Sequence, residues 1–239
     1  MSEFLQFLAN GIILGSIIAL TAIGLSLVYG ILNLPNFAHG DYLTLGAYLA
    51  FFFSASMGLH LLPAAFAAMI LAAIFGVALD RIVWRPMRKK KAGLVTLLIT
   101  SMGVAFALRY TIQILWGSRI KTYGVPIQEG ISIFGAKVTP VQILIVIFAF
   151  TLVFLVHYLL QYTKTGKAMR ALADNLDLAR ISGIDVDRVI IITWILSSAL
   201  AAAGGIMLGL DTHLRPVMGW NLLIVIFAAV ILGGVGNPY

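Results

Sequence analysis

Long stretches of this chain carry no Asp, Glu, Lys or Arg: Phe4 to Ala38, Tyr42 to Leu79, Ala92 to Leu108, Val138 to Thr163, Val189 to Leu210, and Pro216 to Tyr239. One helix crosses the hydrocarbon core in about 20 residues, so the first two stretches are too long for a single crossing each. The second divides at Met57-Gly58-Leu59-His60, just before Pro63. The first accommodates one crossing plus a bent or re-entrant piece before Asn36. The count is about six or seven spans of roughly 20 residues. All must be helical, because lipid leaves open sheet edges unsatisfied. The expected fold class is all-α, a polytopic helical membrane protein.

Composition agrees: 61% of the 239 residues are hydrophobic and 10% charged, with a mean hydropathy of +1.03. A soluble domain has about a quarter of its residues charged. Water-soluble enzymes and disordered tails are thereby excluded. The absence of cysteine removes thiol catalysis, Cys-ligated metal and disulfides. There is no H-E-x-x-H, no carboxylate pair on one helix and no G-x-S-x-G turn, so neither a metal site nor catalysis is expected.

The net charge of +7 is read by position, not as a sign of nucleic acid. Arg81, Arg85, Arg88, Lys89, Lys90 and Lys91 form one basic loop. Lys164, Lys167, Arg170, Arg180 and Arg188 form another. Two spans lie between them, so they share a face, which the positive-inside rule makes cytoplasmic. Gly117 to Lys137 then lies outside, and its Gly124, Pro126, Gly130 and Gly135 suit turns. Three spans ahead of the first basic loop place the amino terminus outside; a re-entrant first segment reverses this. The last apolar run stops at Gly236-Asn237-Pro238-Tyr239, which gives the expectation of a chain truncated at that end.

Asn33-Leu34-Pro35-Asn36-Phe37-Ala38-His39-Gly40-Asp41-Tyr42 interrupts apolar sequence with a helix breaker, amides, an imidazole and a carboxylate. Pro35 frees helical carbonyls that need other partners. Asn36, His39 and Asp41 can supply or accept such bonds, and Asp41 is placed to cap the helix running through Tyr48. Two readings are open: a loop at the membrane surface, or a broken helix whose polar backbone lines a cavity. Among the other ionisable residues in apolar sequence, Arg109 is expected to snorkel near the outer interface. Asp211, His213 and Arg215 read as interfacial, and His157 as a structural histidine. Gly11-x-x-x-Gly15 and Ala201 to Gly205 permit close helix approach.

Thr163 to Arg188 is the least apolar stretch, yet Met169, Leu172, Leu176 and Ala179 recur at helical spacing on one face. Asp174-Asn175 divides it into two short helices, Asn175 capping the second, and Gly183 suits the left-handed stop. Such a pair either lies on the lipid surface or offers its apolar stripe to a groove in a partner protein. The chain has no G-x-x-x-x-G-K-[ST], so ATP-driven transport requires hydrolysis on a separate subunit docked here.

Three groups of residues carry a resemblance. Gly24-Leu25-Ser26-Leu27-Val28-Tyr29-Gly30 with Asn36-Phe37-Ala38-His39-Gly40-Asp41 and Leu45-Gly46-Ala47-Tyr48 is the first. Gly166-Lys167-Ala168-Met169-Arg170-Ala171, followed by Ala179, Gly183 and Ile184, is the second. Ile231 to Tyr239 is a third and weaker group. Together they resemble the LivH-type permease of branched-chain amino acid ABC importers, over essentially the whole chain. The resemblance implies one permease domain spanning residues 1–239, in a bacterial or archaeal plasma (inner) membrane. It implies a second related permease, ABC ATPase subunits and a periplasmic or extracellular solute-binding protein as partners, with no cofactor in this chain. It makes the segment 163–188 the coupling element, through Gly166, Ala168, Met169, Arg170, Ala171, Leu172, Ala179 and Gly183. Tyr29, Asn36, His39 and Asp41 are the expected path or gate. Permeases for urea and short amides share much of the pattern. A channel or ion-driven transporter without an ATPase, built on Pro35-Asn36 and Asn237-Pro238, and a purely structural membrane subunit are the rivals.

Overall fold

The computed structural model describes residues 2–126, 128–133 and 135–234. Its helices are α1 (Ser2–Leu32), α2 (His39–Phe51), α3 (Leu61–Leu79), α4 (Arg85–Lys89), α5 (Leu94–Trp116), α6 (Pro140–Tyr162), α7 (Lys164–Asp174), α8 (Leu176–Ile181), α9 (Val186–Asp211) and α10 (Met218–Gly233). A π-helical turn, Phe52–Ser56, closes α2, and a second, Asp80–Trp84, joins α3 to α4. Among the described residues, five helical segments are long and apolar enough to cross a membrane: Glu3–Leu32, Leu61–Lys89, Leu94–Trp116, Pro140–Tyr162 and Val186–Asp211. The remaining apolar runs form the shorter α2 and α10. The expected six or seven spans thus resolve into five long segments and two short ones. The chain is an all-α, multi-pass membrane protein.

The first apolar run is one long helix followed by extended chain, and the second breaks at Met57–His60, both as the sequence implies. The segment between α5 and α6 holds a small hairpin that the turn signals did not reveal. Strands β1 (Ile131–Ile133) and β2 (Ala136–Val138) pair antiparallel around Gly135, whose φ of +90° suits glycine. The Gln6 side chain donates to the Lys137 carbonyl at 3.0 Å and accepts from the Lys137 N–H at 2.7 Å. That bond ties the start of α1 to the hairpin, on the side opposite the basic loops.

Helix α9 is the axis of the bundle, packing on α1, α2 and α3. Small residues set these approaches. A Cβ on Gly204 would collide with the Thr21 hydroxyl, one on Gly205 with the Leu43 carbonyl, one on Gly46 with Ala202, and one on Gly76 with the Ser198 hydroxyl. Without a hydrophobic drive between helices in lipid, such close backbone contact supplies the packing energy. Gly11 and Gly15 do not take part: a Cβ on either meets nothing within 4 Å. The face of α1 that carries Gly11 and Gly15 is at the edge of the bundle, which corrects the reading of that motif as a close contact. The terminal Gly236-Asn237-Pro238-Tyr239, with its bearing on truncation and on paired half-helices, lies outside the described residues.

Candidate functional site

Helix α1 ends because Asn33 takes a left-handed conformation, φ 48°, and donates its N–H to the Tyr29 carbonyl at 2.8 Å. Asparagine tolerates that region better than most residues, and Pro35 then prevents resumption. The chain runs irregularly from Asn33 to Ala38 and re-enters a helix at His39. Leu34, Asn36 and Ala38 are buried among the helices of the bundle. Irregular backbone inside a membrane bundle needs protein partners for its polar groups. The Asn36 Oδ1 accepts from the Ala38 N–H at 3.1 Å, and the Asn36 carbonyl accepts from the His39 N–H at 3.1 Å. Ser101 on α5 accepts from the Phe37 N–H at 3.1 Å. Its own proton serves the Leu98 carbonyl at 2.7 Å, with the Pro35 carbonyl at 3.3 Å.

His39 is fully buried, and its Nε2–H donates to the Thr21 carbonyl of α1 at 2.9 Å. Asp41 does not cap α2, which corrects that expectation. Its carboxylate accepts from Arg109 Nε at 3.1 Å and Nη2 at 3.0 Å. The two side chains are 0% and 8% exposed. Arg109 therefore does not snorkel: α5 continues to Trp116, so Arg109 lies two turns inside the helix end, opposite the one carboxylate of α2. A buried cation in lipid pairs or pays heavily. The Trp220 ring of α10 lies 4.4 Å from the guanidinium carbon and the Phe106 ring 5.5 Å. Helix α10 meets α2 at two glycines, where a Cβ on Gly219 would strike the Gly40 carbonyl. The Gly219 N–H donates to the Thr44 hydroxyl at 3.1 Å.

Of the expected path residues, Asn36, His39 and Asp41 thus come together in one buried, broken segment held by α1, α5 and α10. Tyr29 is half-buried in the last turn of α1, where its carbonyl accepts from the Asn33 N–H ahead of the break. Sequence reasoning missed Arg109, Ser101, Thr44 and Trp220 as partners. A lone arginine and a lone aspartate in separate apolar runs were the available signal for the first. Behind the break, Tyr42 packs edge-on to Trp194, and Trp194 stacks on Trp84 with centroids 6.2 Å apart and planes within 6°. The π-turn of Asp80–Trp84 sets Trp84 there, and Arg88 anchors the turn by a two-pronged bond to Asp80 at 2.7 and 3.1 Å.

On the basic side, the two short helices form as the sequence implies. Thr163 caps α7 by accepting from the Gly166 N–H at 3.0 Å, and Asn175 caps α8 by accepting from the Leu178 N–H at 2.9 Å. Gly183 ends α8 with φ +83°. The stripe, however, faces the other way. Met169, Leu172 and Ala179 are 1%, 2% and 4% exposed, seated on this chain's own core. They are not offered to a partner groove, because the inner ends of α1, α6 and α9 already fill that role. Arg170 is also turned inward, donating to the Leu160 carbonyl of α6. The outward face instead carries Lys167, Asp174, Leu178 and Ile181, the last 81% exposed.

The remaining polar residues fall at the periphery. Asp211 accepts from the Gln142 side chain at 3.0 Å at the outer end of α9. His213 and Arg215 are exposed beyond it, and His60 is exposed in the break before α3. His157 packs edge-on to Tyr162 and lines an apolar cleft of about 320 Å³ between α1, α6 and α10, with Ala22, Ser26, Val153, Leu160 and Val230. Among the described residues no His, Asp and Glu side chains gather as a metal site.

The sequence profile described as "Branched-chain amino acid transport system / permease component" matches residues 7–239. The high-affinity branched-chain amino acid transport system permease protein LivH of Salmonella typhimurium is 34% identical, over 98% of this chain and 80% of its own. BraD of Pseudomonas aeruginosa, of the same description, is 33% identical with the same coverage. A probable LivH of Methanocaldococcus jannaschii is 34% identical over 96% of this chain and 74% of its own. The ribose import permease protein RbsC of Escherichia coli matches only 40% of this chain, at 33% identity. No solved structure matches. A match over nearly the full length of a multi-pass helical chain shows that this chain belongs to the branched-chain amino acid transport system permease family.

Proposed function

We propose that residues 1–239 form one permease domain of an ATP-driven importer for branched-chain or other neutral amino acids, in the plasma (inner) membrane of a bacterium or archaeon. The observation that carries this reading is the buried break between α1 and α2, an irregular polar backbone inside an apolar bundle. Irregular backbone at membrane depth is tolerated where protein buries it or where it lines a cavity, and in this reading the buried break is a gate held shut by its protein partners. Tyr29, Asn36, His39 and Asp41 are the path or gate residues in this reading. A second, related permease completes the conduit, and a solute-binding protein delivers the amino acid from outside.

Energy enters from separate ATPase subunits, since the sequence lacks a phosphate-binding loop of the Walker type. The outward face of α7 and α8, with Lys167, Leu178, Ile181 and Gly183, is the contact surface for that partner. Gly166, Ala168, Met169, Arg170, Ala171, Leu172 and Ala179 form its seat on the permease. ATP shifts the access states only through contacts that differ between them, so the seat must transmit what the outer face receives.

The test is reconstitution with candidate ATPases, the second permease and the binding protein in liposomes, following radiolabelled leucine. ATP-dependent uptake supports the reading, and uptake that persists without ATP replaces it with a passive channel. Ile181→Asp is expected to abolish copurification of the ATPase with the permease still in the membrane. Unchanged copurification sinks the assigned contact.

A further inference from the structure

Helix α7 crosses the end of α6 with nothing between them. A Cβ on Gly166 would collide with the carbonyls of Leu159 and Leu160, in the last turn of α6. Those same carbonyls are held from α7 and its cap: the Thr163 hydroxyl donates to the Leu159 carbonyl at 2.6 Å, and Arg170 Nη1 donates to the Leu160 carbonyl. A cation at a helix C-terminus also meets the negative end of the helix dipole. Met169 and Leu172, on the same side of α7, are buried against the core. An ordinary loop between two spans would absorb displacement by bending. This junction has no slack.

We propose that Arg170 is a positioning residue, a latch that makes α7 and α6 move as one body so that displacement of the coupling helices reaches the spans. Leu160 lines the cleft against α1, the helix that ends in the buried break, so the route from latch to break is short. The inference rests on the importer reading above. It differs from an ATPase contact in one consequence. Loss of the latch leaves the partner docked and hydrolysing while transport falls, because the push is spent in bending the junction.

The experiment uses the whole complex in liposomes, measuring leucine uptake and ATP hydrolysis on the same vesicles. Arg170→Ala is expected to keep the hydrolysis rate and copurification of the ATPase while cutting uptake about tenfold, within the range for substitutions along a coupling network. Arg170→Lys is expected to recover part of the uptake, since a lysine also reaches terminal carbonyls. Uptake and hydrolysis falling in parallel would assign Arg170 to the ATPase interface and overturn the latch. No change in either overturns it too. Should Arg170→Ala fail to assemble, Arg170→Met, which keeps the apolar stem and has no donor, carries the same comparison; failure of both to assemble reduces Arg170 to a structural support and overturns the proposal. Absence of ATP-dependent uptake in the unmodified complex counts instead against the importer reading.

Discussion

Replacing Arg109 with methionine leaves the Asp41 carboxylate fully buried with its two donors gone. Removing one member of a buried ion pair costs about 3–5 kcal/mol, most of it the desolvation of the group left behind. The guanidinium over Trp220 and Phe106 adds about 0.5–2 kcal/mol of lost cation–π attraction. At 1.4 kcal/mol per decade, the pair alone amounts to roughly two to four orders of magnitude in the folded population. Removing both charges is a different perturbation. Asp41→Leu with Arg109→Met strands no charge, and apolar replacement of a buried pair is often neutral or stabilising by about 1–4 kcal/mol. The double variant should therefore be more stable than Arg109→Met alone, by at least about 3 kcal/mol. Helicity during titration of dodecyl sulfate into the detergent-solubilised protein measures this, with all members of the double-mutant cycle compared. A single variant no less stable than the double would refute the claim that the pair is buried and mutually dependent.

Gly219→Ala should cost about 1–3 kcal/mol by overpacking the Gly40 contact, read as a lowered unfolding midpoint in detergent; an unchanged midpoint would mean that α2 and α10 stand further apart. Asn175→Ala should cost about 0.5–2 kcal/mol by removing the α8 cap, and amide exchange at Leu178 should speed up while α9 keeps its protection. Asp187→Ala breaks the exposed bond to Arg85, 2.7 Å long with side chains 43% and 66% exposed, and should shift stability by less than about 1 kcal/mol. A larger shift would show that this pair is shielded from water. Asn36→Leu should leave assembly intact and impair leucine uptake; uptake at the unmodified level would show that the break is not on the path.

What the sequence disclosed was local. The break at Pro35, the division before Pro63, the cap at Asn175 and the stop at Gly183 follow from residue type and spacing, because each is decided within a few residues. What it hid was pairing across the bundle. Arg109 looked like a snorkelling side chain because its partner lies 68 residues away and nothing in spacing joins them. The stripe of Met169 and Leu172 was legible as a stripe, but periodicity does not say what covers it, and this chain's own helices do. The hairpin around Gly135 escaped because three-residue strands carry little pattern. Gly11-x-x-x-Gly15 misled for the converse reason: a small-residue motif licenses contact without requiring it.

The packing of α1, α2 and α3 on α9 has a consequence for how damage and repair propagate through the molecule. At the glycine contacts each neighbour rests on backbone or on a short alanine, serine or threonine side chain, so there is no long rotamer to swing aside when one of these contacts is altered. An error introduced at Gly204 must shift the whole rod, and is felt at Ala202 and Ser198 as well. Second-site revertants of lesions in any of the three neighbours should therefore gather on this one helix, and combinations of substitutions there should depart strongly from additivity.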